Sequence, residues 1–193
     1  MAKNALVLLA EGFEEVEAIT PVDYLCRAGI AVTVAAIGGG TADGSLNVKG
    51  ARAGLTVIAD TTLQDLGQFP LIDQFDAIII PGGMPGAANI AASAESGALI
   101  TKMAAAGKLI CAICAAPAIV LAPLGLLSGK KFTCFPGMEE KVQDGIWTDA
   151  RVAIDGNIIT SRAAGTAGAF AIAIIGYLLG ETAGEKVAQS VLL

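Results

Sequence analysis

The sequence predicts a doubly wound α/β domain, in which a mostly parallel sheet is covered by helices on both faces. Short β-rich runs alternate along the chain with longer runs of helical periodicity. The runs predicted as strands are apolar throughout, which is typical of strands that are buried on both faces. The 193 residues contain no internal repeat, linker or shift in composition, so we expect one domain that spans residues 1–193.

The order of the elements follows from these runs. Predicted strands are Asn4–Ala10, Ala31–Ile37, Asp76–Ile80, Leu109–Ile113 and Lys131–Phe135, followed by the hairpin strands Arg151–Ile154 and Ile158–Thr160. Predicted helices are Glu14–Arg27, Glu95–Ala106, Ala115–Leu124, Thr166–Leu179 and Thr182–Leu192. Gly38-Gly39-Gly40 begins a turn region, and Leu46–Ala59 forms an excursion of short strands. Ligands of doubly wound sheets bind beyond the carboxyl ends of the strands, which directs attention to the end of the first strand, Gly82-Gly83 and Cys114.

Composition and charge limit the partners of the chain. Apolar residues make up 54% of the sequence, which leaves few charges for the surface and is compatible with an apolar subunit interface. The net charge is −6, and the one adjacent basic pair is Lys130-Lys131. Because a nucleic-acid-binding domain needs a basic stripe, we expect no nucleic-acid partner.

The sequence contains no histidine. This excludes Ser-His and Cys-His catalysis, histidine-ligated zinc and imidazole bases, and self-association does not supply the missing residue. Proton transfer must therefore use carboxylates, thiols, amines, phenols or water. We expect neither a metal nor an organic cofactor.

The N-terminal region predicts a cytoplasmic protein with free thiols. The apolar run Ala5–Ala10 is short and is followed by several glutamates, which is not the pattern of a signal peptide. Two stretches, Leu109–Gly129 and Ala163–Gly180, are long enough to span a membrane. The first is interrupted by prolines and glycine and the second is rich in Ala and Gly, so we interpret both as buried parts of a soluble fold with no membrane contact.

Cys114 lies where a buried strand passes directly into a predicted helix. A nucleophile on such an elbow projects from the sheet, and the N–H groups of the following helix favour a thiolate and lower the pKa of the thiol. The alternative is an inert core cysteine, because free cysteine is among the most buried residue types. Cys111 also forms a Cys-x-x-Cys pattern with Cys114, but three strand residues separate the two by about 10 Å, beyond disulfide range. We therefore place Cys111 in the core.

Two neighbouring features complete a candidate site. The glycines of Pro81-Gly82-Gly83 follow a buried strand, and their N–H groups can face an anion. Glu14 and Glu15 are interpreted as solvated charges that favour the helix N-terminus. Glu17 can instead turn toward the edge of the sheet, where burial beside a thiolate raises its pKa and keeps it protonated. Glu17 then supplies the acid/base that histidine cannot.

The motifs, taken together, resemble the ThiJ/PfpI superfamily, and within it the branch of the parkinsonism-associated protein deglycase. The resemblance covers nearly the whole chain in order and rests on the runs Ala5–Ala10, Glu14–Glu17, Pro21–Asp23, Arg27–Gly29, Pro81–Gly83, Ala112–Pro117 and Thr160–Arg162. It implies a flavodoxin-like sheet, a homodimer, a reactive cysteine at Cys114 with a protonated partner at Glu17, and backbone contacts from Gly83 and Ala115. It also implies glyoxalase or deglycase activity, chaperone activity or the sensing of oxidative stress.

The chain departs from relatives at three places. Family proteases and amidotransferases have a histidine directly after or near the nucleophile, where this chain has Ala115, so we expect neither activity. Many relatives of the deglycase branch have a histidine before the proline that is Pro136 here, and this chain has Phe135. Phe135 and Pro136 are therefore predicted to line the pocket. An arginine that often directly precedes a glycine in relatives is also absent from Arg52-Ala53-Gly54.

Two functions remain open from the sequence. The first is a cofactor-independent enzyme in which Cys114 attacks a small reactive carbonyl substrate such as methylglyoxal or one of its adducts, while Glu17 transfers protons. The second is a redox sensor or chaperone without enzymatic activity, in which Cys114 is oxidised to a sulfinate.

Overall fold

The computed structural model describes residues 2–38, 46–66 and 71–193. Its strands are β1 (Asn4–Leu9), β2 (Ala31–Ala36), β3 (Asn47–Lys49), β4 (Thr56–Ile58), β5 (Thr61–Thr62), β6 (Ala77–Ile80), β7 (Leu109–Ile113), β8 (Lys131–Phe132), β9 (Ile146–Trp147), β10 (Val152–Asp155) and β11 (Ile158–Ser161). Its α-helices are α1 (Glu15–Arg27), α2 (Leu63–Leu66), α3 (Leu71–Gln74), α4 (Gly86–Ala92), α5 (Ala94–Ala105), α6 (Ala167–Leu179) and α7 (Glu181–Ser190). Of the predicted turn Gly38-Gly39-Gly40, the last two residues lie outside the described ranges.

Seven strands form one sheet in the order β10-β11-β7-β6-β1-β2-β5. All neighbours in it are parallel except β10 and β11, which form the predicted antiparallel hairpin. The strands β3 and β4 form a separate hairpin within the predicted excursion. This arrangement confirms the predicted flavodoxin-like, doubly wound sheet.

Alternate residues of the central strands enter two different cores. On one face Ile78 and Ile110 pack in a cluster with residues of α4 and α5, and on the other face Ile79 and Cys111 pack with residues of α1, α6 and α7. Every residue of β6 and β7 is buried. The apolar runs of the sequence are therefore a consequence of helices on both faces. Within the described ranges, no helix has the length and apolar character needed to cross a membrane.

The segment after β7 differs from the predicted helix Ala115–Leu124. It contains a π-helical turn, Pro117–Leu121, in which the N–H of Ala122 donates to the carbonyl of Pro117 (3.0 Å). Pro123 has no N–H and cannot continue the ladder of backbone hydrogen bonds. The element after the cysteine is thus one short turn rather than an α-helix of ten residues.

The predicted strand Lys131–Phe135 is also shorter, since β8 ends at Phe132. The N–H of Thr133 donates to the hydroxyl of Thr160 (2.9 Å), and the N–H of Phe135 donates to the carbonyl of Cys114 (2.8 Å). These bonds turn the chain away from β8 and across the end of β7. The helix α4, which directly follows the glycine pair, was not predicted.

The sheet places three segments at one edge. The strand β2 lies beside β1 on one side of the sheet. On the other side of β1 lies β6, and beyond β6 lies β7. Residues that follow β1, β6 and β7 therefore meet at the carboxyl ends of adjacent parallel strands, at the point where the strand order reverses. Cys114 follows β7, Gly82-Gly83 follow β6, and the segment leading into α1 follows β1.

Candidate active site

Cys114 lies on a sharp backbone elbow directly after β7. Its φ angle is 64°, and among the described residues the only other non-glycine residue with a positive φ is Leu192 near the C-terminus. The elbow is fixed by two backbone hydrogen bonds, from the N–H of Cys114 to Ser161 (2.9 Å) and from the N–H of Phe135 to Cys114 (2.8 Å). A left-handed conformation costs a residue with a side chain about 1–2 kcal/mol, so these flanking bonds are needed to hold the cysteine in place.

The elbow directs the Cys114 side chain into a cavity of about 640 Å³. The thiol is partly exposed. The backbone N–H groups of Gly83 and Ala115 are within hydrogen-bonding range of its sulfur. The sequence predicted these two groups and the N–H of Gly82 to bind an anion at this place, but the N–H of Gly82 donates to Glu17 instead.

Glu17 lies in the first turn of α1 and is 1% exposed. Its carboxyl group is hydrogen-bonded to the thiol of Cys114. The N–H of Gly82 donates to its Oε2 atom (3.0 Å), and the N–H of Ala164 is a further donor. The structure thus forms the pair of Glu17 and Cys114 that the sequence predicted.

Gly82 is required by the close approach of this pair. A Cβ atom at residue 82 would lie 2.5 Å from Oε2 of Glu17 and 2.6 Å from Cβ of Cys114. Real Cβ atoms do not make contacts this short, because interiors are already close-packed. The glycine therefore serves the site through its missing side chain as well as through its N–H.

Burial raises the pKa of Glu17 to about 7, although the hydrogen bond from Cys114 acts in the opposite direction. The nearby charge of Glu14 raises the pKa further, and the N–H groups of Gly82 and Ala164 lower it. The predicted direction is confirmed. A carboxylate with this pKa can accept and return a proton near neutral pH.

The predicted lowering of the Cys114 pKa is wrong. Burial raises the pKa of the thiol to about 12, and the charge of Glu17 and its hydrogen bond to the thiol act in the same direction. The N–H groups of Ala115 and Gly83 lower the pKa but do not outweigh these effects. The predicted helix N-terminus is absent as well, because only a five-residue π-helical turn follows the cysteine. The Cys114 thiol is therefore a weaker acid than a free cysteine, and the Glu17 carboxyl beside it is the stronger acid of the two.

The predicted site residues come together around one cavity. It is lined by Glu14, Glu17, Ala51, Arg52, Gly83, Met84, Cys114, Ala115, Phe135, Pro136, Gly137, Met138, Ala163 and Ala164. Gly82 lies behind the cavity wall and contacts Glu17 through its N–H. Phe135 and Pro136 occupy the wall where the sequence analysis expected pocket-lining residues.

Sequence reasoning missed the roles of Glu14, Glu15 and Arg52. Glu14 is not simply a solvated charge, because its Oε2 accepts the N–H of Glu17 (2.9 Å) and caps α1. Glu15 is 6% exposed, which is also contrary to its interpretation as a surface charge. The acidic run before an apolar helix was the available signal for the cap. Nothing in the local pattern places Arg52 beside the cysteine.

Cys111 is fully buried within β7, as predicted, and burial raises its pKa well above the usual value. Cys134 is also buried, and Cys26 is exposed. In the described part of the chain, no cluster of three or more Cys, Asp or Glu side chains could hold a metal ion.

The role of Gly82 leads to a test by substitution. In Gly82→Ala, the added methyl group should displace the Glu17 carboxyl from Cys114, and alkylation of Cys114 should lose its dependence on the ionisation of Glu17 near pH 7. Gly165→Ala is the matched control, because a Cβ atom there meets nothing within 4 Å. The rate of iodoacetamide labelling at Cys114, read by peptide mass across pH 5–9, measures the effect. A wild-type profile in Gly82→Ala would show that the close packing is unnecessary.

Comparison with known proteins identifies relatives across the whole chain. Protein dj-1beta of Drosophila melanogaster is 41% identical over 195 residues, which cover 100% of this chain and 98% of that protein. Its crystal structure superposes with a TM-score of 0.90 at 40% identity and covers 100% of this chain and 99% of that chain. The glutathione-independent glyoxalase DJR-1.2 of Caenorhabditis elegans is 36% identical over 92% of this chain and 90% of that protein. The structure of oxidized Toxoplasma gondii DJ-1 has a TM-score of 0.91 at 35% identity, over 99% of this chain and 98% of that one.

The family model for the DJ-1/PfpI family matches residues 3–176. This range includes β1, the glycine pair after β6, the Cys114 elbow and most of α6. The matched range and the full-length relatives agree with the resemblance seen in the sequence motifs. The chain belongs to the DJ-1/PfpI family.

Proposed function

We propose that this chain is a cysteine-dependent, cofactor-independent enzyme of glyoxalase or deglycase type that acts on methylglyoxal-like α-oxoaldehydes or their adducts. The observation that carries the proposal is the hydrogen-bonded pair of Cys114 and Glu17 at the wall of the cavity, with the N–H groups of Gly83 and Ala115 beside the sulfur. The similarity to a glutathione-independent glyoxalase supports the same reaction class.

In the first step, the sulfur of Cys114 forms a bond to the aldehyde carbon while the thiol proton moves to Glu17. The carbonyl oxygen becomes an oxyanion that the N–H groups of Gly83 and Ala115 stabilise. Transfer of the proton from Glu17 to this oxygen gives a hemithioacetal. Because the thiol pKa is about 12, simultaneous proton transfer to a carboxylate with a pKa of about 7 is the accessible route to a nucleophile.

In the second step, Glu17 removes the proton from the former aldehyde carbon, and the hydroxyl proton of the hemithioacetal passes to the neighbouring ketone oxygen, which gives an enediolate. Protonation of the neighbouring carbon yields the thioester of a 2-hydroxy acid, which water hydrolyses to the acid and the free thiol. The aldehyde carbon is oxidised and the adjacent ketone carbon is reduced by the same two electrons. The reaction therefore balances within substrate and water and needs neither a metal nor a redox cofactor.

The proposal is tested by turnover of methylglyoxal. We expect lactate to form above the buffer rate, Cys114→Ser to abolish its formation, and Glu17→Gln to lower kcat by about 10²–10⁴-fold, the usual contribution of a general base. Since Glu17 must be ionised to accept the thiol proton, kcat/KM should rise with pH through about 7 and then level off. Glu17→Gln should lack this rise.

Cys26→Ser is the matched control, because Cys26 is exposed and outside the cavity. It should retain wild-type turnover and the same pH profile. Lactate formation that survives in Cys114→Ser would refute the enzymatic proposal.

The second candidate function is redox sensing or chaperone activity without turnover, in a reducing cytoplasm. Two observations favour it: Cys114 is the partly exposed thiol of the cavity, and a structure of a relative is described as oxidized. Reaction of the Cys114 thiolate with peroxide gives a sulfenic acid, and a second peroxide gives the sulfinate with release of water. Cys111 is fully buried on β7 and is not available to form a disulfide instead.

Graded peroxide treatment tests this function. We expect Cys114 to form a persistent sulfinate, because a protonated Glu17 donates a hydrogen bond to a sulfinate oxygen. Glu17→Leu removes the donor and should destabilise the sulfinate by about 1.5–3 kcal/mol. Glu17→Gln keeps a donor and should accumulate more of it than Glu17→Leu does. Equal accumulation in the two variants, measured by peptide mass, would contradict the role of Glu17.

We also propose that two copies of the chain form a homodimer. The helix α1 exposes Val16 (48%) and Ile19 (42%), and the β3–β4 hairpin exposes Ile58 (74%), although each of these side chains is apolar. An apolar surface of this kind favours burial between subunits. Light scattering after size-exclusion chromatography should give twice the mass of 19.3 kDa. A monomeric mass at micromolar concentration would contradict the dimer.

A further inference from the structure

One wall of the cavity is held by Glu15, a carboxylate that takes no part in the pair of Glu17 and Cys114. Both of its oxygens accept the N–H of Arg52 (3.2 and 3.1 Å), and its Oε1 also accepts the N–H groups of Ala53 (2.8 Å) and Gly54 (3.0 Å). Burial alone would raise the pKa of Glu15, but these bonds outweigh burial and lower it. Glu15 is therefore an anion that fixes three consecutive residues of the segment 51–54.

The segment 51–54 is attached to the site by further contacts. The N–H of Ala51 donates to the carbonyl of Phe13 (2.8 Å), and the N–H of Gly12 donates to the carbonyl of Lys49 (2.8 Å). A Cβ atom at Gly50 would overlap with the carboxyl group of Glu15. The segment is thus fastened to the residues that lead from β1 into α1, from which Glu17 also projects.

This attachment brings one cation to the cavity. Arg52 is exposed, and it is the only basic residue among the described residues that line the cavity. It takes part in none of the ion pairs formed by the described residues. Glu14, one of the two acids that line the cavity, uses its Oε2 to cap α1. The guanidinium is therefore available to a ligand.

The size of the cavity is consistent with a ligand larger than methylglyoxal. Methylglyoxal has five non-hydrogen atoms, whereas cavities of several hundred Å³ hold molecules of drug size. The volume of about 640 Å³ leaves room for a substituent between Cys114 and Arg52. A guanidinium is the side-chain group best suited to a planar carboxylate, which it binds through two parallel hydrogen bonds.

We propose that Arg52 forms an anion subsite of the cavity and that Glu15 is its positioning residue, so that the site favours carbonyl compounds and adducts that carry a carboxylate. The reaction at the carbonyl rests on the proposed function, but recognition of the anion does not.

The test compares two alkylating reagents of similar size, one with a carboxylate and one with a neutral amide. Iodoacetate carries a carboxylate and iodoacetamide is neutral, and both alkylate the same sulfur. The rate ratio of iodoacetate to iodoacetamide at Cys114 is measured by peptide mass, with the exposed Cys26 of the same molecule as the internal reference. This ratio reports anion recognition even if the protein turns over no carbonyl substrate, so that failure of the subsite and failure of the proposed function are distinguishable.

We expect Arg52→Gln to lower the ratio at Cys114 by roughly two- to five-fold, the effect of an exposed charge pair. Arg52→Lys keeps the charge but not the two parallel hydrogen bonds, so its ratio should fall between those of the wild type and Arg52→Gln, and the ratio at Cys26 should not change. Arg27→Gln is the matched control, because Arg27 is an exposed arginine that pairs with Asp23 outside the cavity. An unchanged ratio in Arg52→Gln, or an equal loss in Arg27→Gln, would overturn the subsite.

The positioning role is tested with Glu15→Gln and Glu15→Asp. Each should lower the ratio to about the Arg52→Gln level, because the first loses the charge and one acceptor oxygen and the second shortens the reach to the segment 51–54. The iodoacetamide rate alone should stay near the wild-type value, which a general loss of structure would not allow. If Glu15→Gln does not fold, as judged by circular dichroism, Glu15→Asp decides the question. A wild-type ratio in the folded variant would overturn the role of Glu15.

Discussion

The hydrogen bond between Glu17 and Cys114 is buried, and this burial sets the conditions for the rest of the site. Removing water from two acidic groups disfavours both of their charged forms, so the pair retains protons more strongly than either group would in water. The pKa of the Glu17 carboxyl is raised to about 7 and that of the Cys114 thiol to about 12. Once Glu17 is ionised the pair carries a single negative charge, and in the proposed reaction this charge moves from oxygen to sulfur.

The backbone around the pair is shaped to permit that movement. The left-handed elbow turns the sulfur of Cys114 out of the sheet, and the absence of a Cβ atom at Gly82 lets the carboxyl group of Glu17 approach it. The N–H groups of Gly83 and Ala115 face the place where negative charge develops. These features come from three strand ends, and they meet because β1, β6 and β7 are adjacent and parallel.

Sequence reasoning predicted those features of the fold and the site that are determined by residues close together in the chain. Apolar runs gave the buried strands, the strand-to-turn transition gave Cys114, and the three-residue spacing from Glu14 gave Glu17 its orientation. The predicted helix after Cys114 is longer than the observed π-helical turn. Pro123 interrupts the backbone hydrogen bonds of that helix, and the sequence alone does not show at which residue these hydrogen bonds begin. The thiol pKa was wrong in direction, since desolvation is a property of the packed site, whereas the pattern shows only the nearby N–H groups. Glu15 was taken for a surface charge because the three N–H groups that surround it lie 37 to 39 residues away in the chain.

Glu15 and Glu17 show how the fold assigns different chemistry to identical side chains in one helical turn. Both are buried. Glu15 accepts the N–H groups of three successive residues, and these stabilise its charge enough to lower its pKa. Glu17 has fewer N–H donors, a neighbouring charge on Glu14 and a weakly acidic thiol as its partner, so its pKa rises to about 7. The first carboxylate is consequently a fixed anion that holds a wall of the cavity. The second has a pKa of about 7, and in the proposed reaction of a chain without histidine this is the property that a cysteine nucleophile needs from its partner.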